Sequence, residues 1–410
     1  MEEPRTATAT LRRPLRDNRG ANPGEPPLRR RGAALSIGLC AAIVAASVQE
    51  PRVLTIRLPS GRLPSGKLQS GRLPAGRGDP DAAEALPSGP LEAEHRTLEI
   101  GLRGWVERQT GQRLGYVEQL YTFGDRDRAL GDAAGDAAGD AALALPALVV
   151  AYLALVREAG PAGSGDAGNG VAEWRGWYRY FPWEDWRQGK PALLEPLEAR
   201  LERWAAAAGG EPERRLRAER LGLGFGLSGA SWNEELVLER YELLYEAGLV
   251  AEAARVPGRL PGTPALAGGR PGTASAGVPG IGRTAVPAGG SPREVATGMA
   301  MASDHRRILA TALGRLRGKI KYRPVVFELM PPAFTLLQLQ RTVEALAGVR
   351  LHKQNFRRLV EQQGLVEETG AISAATGGRP ARLVRYRREV LLERPAPGLR
   401  LRPGRRAAGG

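Results

Sequence analysis

The chain has 410 residues, 42% hydrophobic and 25% charged, so it is long enough for two domains with linkers and apolar enough to give each an ordinary core. Its formal net charge of +15 points to an anionic partner. One cysteine, Cys40, excludes an internal disulfide and a cysteine-rich zinc site and suits a reducing compartment, and three scattered histidines (His95, His305, His352) argue against a histidine metal cluster.

Residues 1–34 are rich in Arg, Pro and Gly and read as a disordered tail. The stretch Ala34–Ser47 behind this basic leader has the outline of a secretory signal, but it falls short of the roughly 20 apolar residues a membrane span needs. The competing reading is a buried strand, Gly38–Ala46, followed across Glu50-Pro51 by a second, Arg52–Leu58. From Leu58 to Arg77 a five-residue Pro- and Gly-bearing unit repeats, which no helix or central strand tolerates, so an extended surface loop is expected. Gly-Asp-Ala-Ala, three times over 131–142, is a second loop insertion.

Between these loops the apolar spacing of Leu98, Leu102, Trp105 and Val106 predicts a helix over about Glu92–Gln109, stopped by Gly111, and two strands follow, Tyr116–Phe123 and Leu148–Val156. The segment Trp174–Trp186 holds 7 of the chain's 22 aromatic residues in 13 positions, which suits inter-domain core, a base-stacking platform or an interface anchor. Helices are expected over 192–206 and 232–247, the second opened by a Ser231/Glu234 capping box and stopped by Gly248, and it is a candidate dimer helix. Pro257–Pro292 is Pro-, Gly-, Ala- and Thr-rich without periodicity and reads as a linker.

The C-terminal part is the most legible. A helix over Asp304–Arg317 precedes a second opened by Thr335-x-x-Gln338, with Leu336, Leu339, Val343 and Leu346 at helical spacing and Gly348 as its stop. A short turn leads to a third helix in which Phe356, Leu359 or Val360, and Gln363 share the buried face, ending at Gly364. Two strands, 365–370 and 381–387, complete the winged-helix order. Asp304–Arg388 carries 17 Lys or Arg against 6 Asp or Glu, so most of the chain's excess positive charge is here. Lys353, Gln354, Asn355, Arg357 and Arg358 lie where a recognition helix meets base edges and phosphates, and Arg379 and Arg382 lie at the wing. A solvated basic face and a winged helix used only for protein contacts are the alternatives.

The runs 323–340, Lys353-Gln354-Asn355-Phe356-Arg357-Arg358 and Gly378-Arg379-Pro380-Ala381-Arg382-Leu383 together resemble the winged helix of Nudix-related transcriptional regulators of NAD metabolism, within which the NadQ-type branch is most alike. The resemblance extends over much of 35–250 and implies an α+β multi-domain chain: a Nudix-like α/β/α sandwich followed by a C-terminal winged helix-turn-helix. A Nudix box laid on Gly111 puts Gly104, Trp105, Arg108 and Gln109 where the family carries its arginine and metal-binding glutamates. The box is degenerate, and without convergent carboxylates to hold Mg²⁺ no catalytic or metal-binding residue is expected. Gln119–Arg128 resembles a motif of the regulators and implies ligand contacts by Tyr121, Phe123, Asp125, Arg126 and Arg128, although Tyr121 and Phe123 also alternate as ordinary strand residues.

The expected organisation is a tail (1–34), a degenerate Nudix-like sensor (35–157) with insertions at 59–80 and 130–146, an aromatic and helical segment packing on it (172–250), a flexible linker (251–299), a winged helix (300–390) and a basic tail (391–410). The function this implies is a cytoplasmic, homodimeric, non-enzymatic regulator, in the first place a repressor of NAD synthesis or salvage genes. It would bind a double-stranded DNA operator, sense an adenine nucleotide related to NAD, and need no cofactor and no membrane. A divergent Nudix hydrolase of ADP-ribose or a similar diphosphate is the alternative, and an RNA-binding or scaffold protein a third class.

Overall fold

The computed structural model describes residues 37–58, 83–124, 148–157, 172–255, 297–373, 380–393 and 398–399. The repeats at 59–80 and 131–142 and nearly all of the expected linker lie outside them.

The sheet is built on β1 (Ile37–Ala46), whose unbroken small and apolar run suits a strand covered on both faces. It pairs antiparallel with β2 (Pro51–Leu58), Val44 opposite Val53, and parallel with β6 (Leu148–Leu155), Ile37 opposite Leu148. With β3 (Ala83–Ala85) and β5 (Tyr116–Gly124) the order is β3-β2-β1-β6-β5, while β4 (Ser88–Pro90) pairs with β1 and β7 (Ala172–Gly176) with β2. The first two expected strands and the later pair are all present, each within two residues of its expected ends.

Alternation along β1 divides the core. Leu39, Ala41 and Ile43 meet Leu102 and Val106 of α1 (Leu98–Thr110) on one face, and Cys40, Ala42 and Val44 belong to the larger core on the other. Helix α1 starts about six residues later than its apolar spacing suggested, because Thr97 caps it by accepting the Ile100 N–H, and it stops at left-handed Gly111 as expected.

The opposite layer begins with the aromatic segment, two 3₁₀ turns over Trp177–Arg179 and Pro182–Glu184. Trp177, Tyr180, Phe181 and Trp183 are fully buried, so core packing accounts for these four. Helices α2 (Leu194–Ala206), α3 (Glu211–Phe225) and α4 (Val237–Glu246) follow. The charged, glycine-bearing α3 has few apolar positions and gave no periodic signal. In α4 the Ser231/Glu234 box does not form: the helix starts at Val237 without a side-chain cap. Glu234 is instead held by Lys321, 2.7 Å away, and Trp232 lies beneath the Arg240 guanidinium at 3.9 Å from ring centre. Tertiary partners outcompete the local cap.

The last module comprises α5 (His305–Tyr322), α6 (Leu336–Ala347), α7 (Lys353–Gln362), β8 (Val366–Ser373), β9 (Ala381–Tyr386) and a short α8 (Val390–Glu393). Helix α5 is longer than expected and packs on α4 and on β1, β5 and β6, closing an α/β/α arrangement with α1 on the far side. One continuous core therefore runs from Cys40 through Trp183 to Val360, and the boundary drawn at 300 cuts through it. The two ends of the expected linker are packed as well. Ala251–Arg255 forms a 3₁₀ turn, and Met299 N–H donates to Arg179 O at 2.8 Å, Met301 N–H to Glu252 at 3.0 Å. In the expected basic tail, Leu399 is buried and donates its N–H to Ile320 O at 3.0 Å.

Candidate nucleic-acid interface

Helix α6 opens with the full capping box, Thr335 accepting from Gln338 N–H and Gln338 accepting from Thr335 N–H, and closes at Gly348, whose φ of 73° is left-handed. The turn to α7 has a dedicated clamp. The buried Glu344 carboxylate accepts the Leu351 N–H at 2.9 Å and the Gln340 side-chain amide at 2.9 Å, and that amide also donates to Leu351 O at 3.0 Å. Sequence reasoning missed both residues, although a Gln and a Glu one helical turn apart inside an apolar stripe are a readable signal.

Helix α7 is anchored by Phe356 and Val360, 2% and 0% exposed. Lys353, Gln354, Asn355, Arg357 and Arg358 are all exposed, as the helical spacing requires. The side chains of Lys353, Gln354 and Arg357 have no hydrogen-bond or ion-pair partner among the described residues, while Arg358 donates to Asn355 Oδ1 at 3.0 Å. His352 precedes the helix without a side-chain cap, leaving first-turn N–H groups able to donate to a phosphate.

The wing pairs β8 with β9, and Phe334 bridges Val384 through reciprocal backbone bonds of 2.9 and 2.8 Å. Phe327 stacks on Tyr386 at 4.3 Å beneath it. β8 continues to Ser373 through an irregular register at Gly370, whose φ is 78°, so the wing extends further than expected. Arg382 is exposed but paired with Glu368 at 2.6 Å, and Arg385, which the sequence reading did not single out, pairs with Glu367 at 2.5 Å. Exposed pairs of this kind are weak and exchange readily for phosphate. Arg379 lies outside the described residues.

In the second candidate site, Phe123 is buried in the large core and Tyr121 is 65% exposed on the sheet-edge strand β5, their rings meeting edge to face at 5.7 Å. Asp125, Arg126 and Arg128 lie outside the described residues. On α1, two of the three positions aligned with the Nudix glutamates bind β4. Trp105 Nε1 donates to Pro90 O at 2.8 Å, and Gln109 accepts from Ser88 N–H at 3.0 Å and donates to Ser88 O at 2.7 Å. Arg108 covers the Trp105 ring at 4.3 Å. No group of three His, Cys, Asp or Glu side chains able to hold a metal ion occurs among the described residues, and no described helix is long and apolar enough to cross a membrane.

Residues 326–386 match the family described as the NrtR DNA-binding winged helix domain. The "ADPR responsive transcriptional repressor NtrR" of Acinetobacter baylyi is 42% identical over 93 residues, 23% of this chain and 37% of that protein, so the chain matches little more than a third of this relative's length. Among solved structures, Shewanella oneidensis NrtR complexed with a 27mer DNA is 18% identical with a TM-score of 0.42, covering 86% of this chain and 94% of that one. A MutT/nudix family protein from Enterococcus faecalis is 14% identical with a TM-score of 0.40, covering 86% of each chain. The order of helix, turn, helix and wing agrees with the family match: residues 326–386 are similar to the NrtR DNA-binding winged helix domain.

Proposed function

We propose that the chain is a transcriptional repressor that reads a double-stranded operator with α7 and its wing, and whose Nudix-like sheet domain senses an adenine nucleotide of NAD metabolism without hydrolysing it. The observation that carries this is α7: five exposed basic and amide side chains on one face, two apolar anchors on the other, within the matched winged helix. Lys and Arg bind phosphates and guanine, and Gln and Asn bind adenine in the major groove.

The relative named as responsive to ADP-ribose makes that nucleotide the first effector to try. Hydrolysis is disfavoured by what stands at the box positions, since Trp105, Arg108 and Gln109 supply no carboxylate and are engaged with β4, Glu92 and one another. The domains are taken as a sensor over 35–157, an aromatic and helical layer over 172–250, and a DNA-binding module over 300–390 that shares its core with both. Two copies on a two-fold operator are the expected assembly, in the cytoplasm, with NAD synthesis or salvage genes as targets.

The test uses the full-length protein and duplexes enriched from a random library by repeated binding. The expected result is one enriched sequence family whose affinity changes about 5- to 150-fold when ADP-ribose is added. ADP-ribose and NAD should remain intact with Mg²⁺ or Mn²⁺. Metal-dependent turnover would replace the sensor reading by the hydrolase, and failure to enrich any sequence would remove the operator.

A further inference from the structure

The last carbonyls of a helix have no partners within it and must find them elsewhere. At the end of α6 these partners come from outside the helix-turn-helix. Ala345 O accepts from the Tyr178 hydroxyl at 2.7 Å, Leu346 O from Arg317 Nε at 3.0 Å, and Gly348 O from Trp186 N–H at 2.7 Å. Beyond the turn, Arg350 Nε donates to Arg187 O at 3.2 Å. Gly348 leaves no room for a side chain, because a Cβ there would meet the Glu184 carbonyl, the Arg317 guanidinium and the Tyr178 hydroxyl. The point from which α7 departs is thus held by segment 178–187 and by α5.

Glu184 organises this contact. Its carboxylate takes Arg240 Nε and Nη2 at 2.6 and 2.8 Å and Arg317 Nη1 at 2.6 Å, and all three side chains are at most 1% exposed. Arg317 then reaches Leu346 O of α6 and Glu234 O, and Arg240 reaches Gly224 O and Asn233 O. One carboxylate between two guanidiniums, with water excluded, leaves Arg317 little orientational freedom. Segment 178–187 follows directly from β7, which pairs with β2 from Arg52 opposite Gly176 to Ile56 opposite Ala172. The chain itself thus connects that strand of the sheet to the contacts at the turn before α7.

We infer that Glu184 and Arg317 are positioning residues for DNA reading: through the 178–187 segment they set the placement of α7, and with it the discrimination between DNA sequences. The inference rests on α7 being the reading helix.

The experiment compares binding of the full-length protein to an enriched duplex and to a scrambled duplex of equal length. Arg317→Met leaves the Glu184–Arg240 pair electrically balanced, so the core should hold while the link to α6 is lost. A purely structural role lowers the folded fraction and weakens both duplexes by the same factor, leaving their ratio unchanged. Mis-set α7 instead lowers the ratio, by about 3- to 30-fold for Arg317→Met. Tyr178→Phe removes only one hydroxyl and should lower the ratio by about 2- to 10-fold, which keeps the test available if Arg317→Met does not fold. Arg358→Ala, run in parallel, tests the underlying reading: an unchanged ratio there means α7 does not read DNA. If Arg358→Ala lowers the ratio while the folded variants at 178 and 317 keep it, the positioning role is refuted.

Discussion

Replacing Arg358 by Ala isolates base reading from fold. The side chain is exposed, its one partner among the described residues is Asn355 Oδ1 at 3.0 Å, and the helix is anchored through Phe356 and Val360 on the other face. Alanine is the best helix former, and the lost Arg358–Asn355 bond is a surface pair three residues apart worth about 0.2–0.5 kcal/mol, so unfolding free energy should move by less than roughly 0.5 kcal/mol. On DNA the loss is larger. A bidentate base contact is worth about 1–3 kcal/mol of discrimination, equivalent to about 5- to 140-fold in affinity for the enriched duplex. The scrambled duplex should lose much less, because only one phosphate contact is at stake there. Arg382→Ala supplies the contrast: Arg382 sits on the wing, paired with Glu368, and its removal should weaken both duplexes about equally. Fluorescence anisotropy on the two duplexes, with thermal unfolding of each variant, measures all of these terms. Equal losses on both duplexes for Arg358→Ala, with an unchanged melting temperature, would refute sequence reading by α7.

Salt titration should give a log–log slope of roughly −6 or steeper for a dimer with four or more basic side chains per subunit on phosphate, and a slope near −2 would place the docking surface elsewhere. Gly348→Ala should lower stability by at least about 1–3 kcal/mol in thermal or denaturant unfolding, since it combines a left-handed backbone with a Cβ facing Glu184 O and Arg317. Gln109→Glu replaces the amide that donates to Ser88 O and should cost about 1–3 kcal/mol in denaturant unfolding without creating Mg²⁺-dependent turnover. Burial raises the Glu184 pKa, but Arg240 and Arg317 outweigh it and hold the carboxyl below the usual range. Its folded pKa being depressed, its contribution is fully present above the ordinary glutamate pKa of about 4.3 and is lost as pH falls through the lower folded value. Acid unfolding followed by tryptophan fluorescence should show stability falling below about pH 4, and the fall should be shallower in Glu184→Gln.

Local rules carried the winged helix because its signals are short-range. The Thr335–Gln338 box, the stops at Gly348 and Gly364 and the Phe356/Val360 spacing each depend on residues within one or two turns, so they can be read without knowing what packs against them. The same holds for β1, whose continuous apolar run announces burial on both faces, and for the exposed basic and amide face of α7. Local rules failed where distant partners decided. Glu234 matches a capping box in sequence but is taken by Lys321, and an irregularity in register with β6 leaves Leu120 and Phe123 both buried, three residues apart, which a period of two does not anticipate. Above all, nothing within either segment shows that Glu184 meets Arg317, 133 residues later, or that Tyr178 and Trp186 hold the end of α6. Residue types and periodicity determined the modules and the exposed basic face of α7. Only tertiary structure decided that the modules share one core, because a buried charge is satisfied by whichever partner the fold brings within hydrogen-bonding distance, and that choice is not encoded in spacing along the chain.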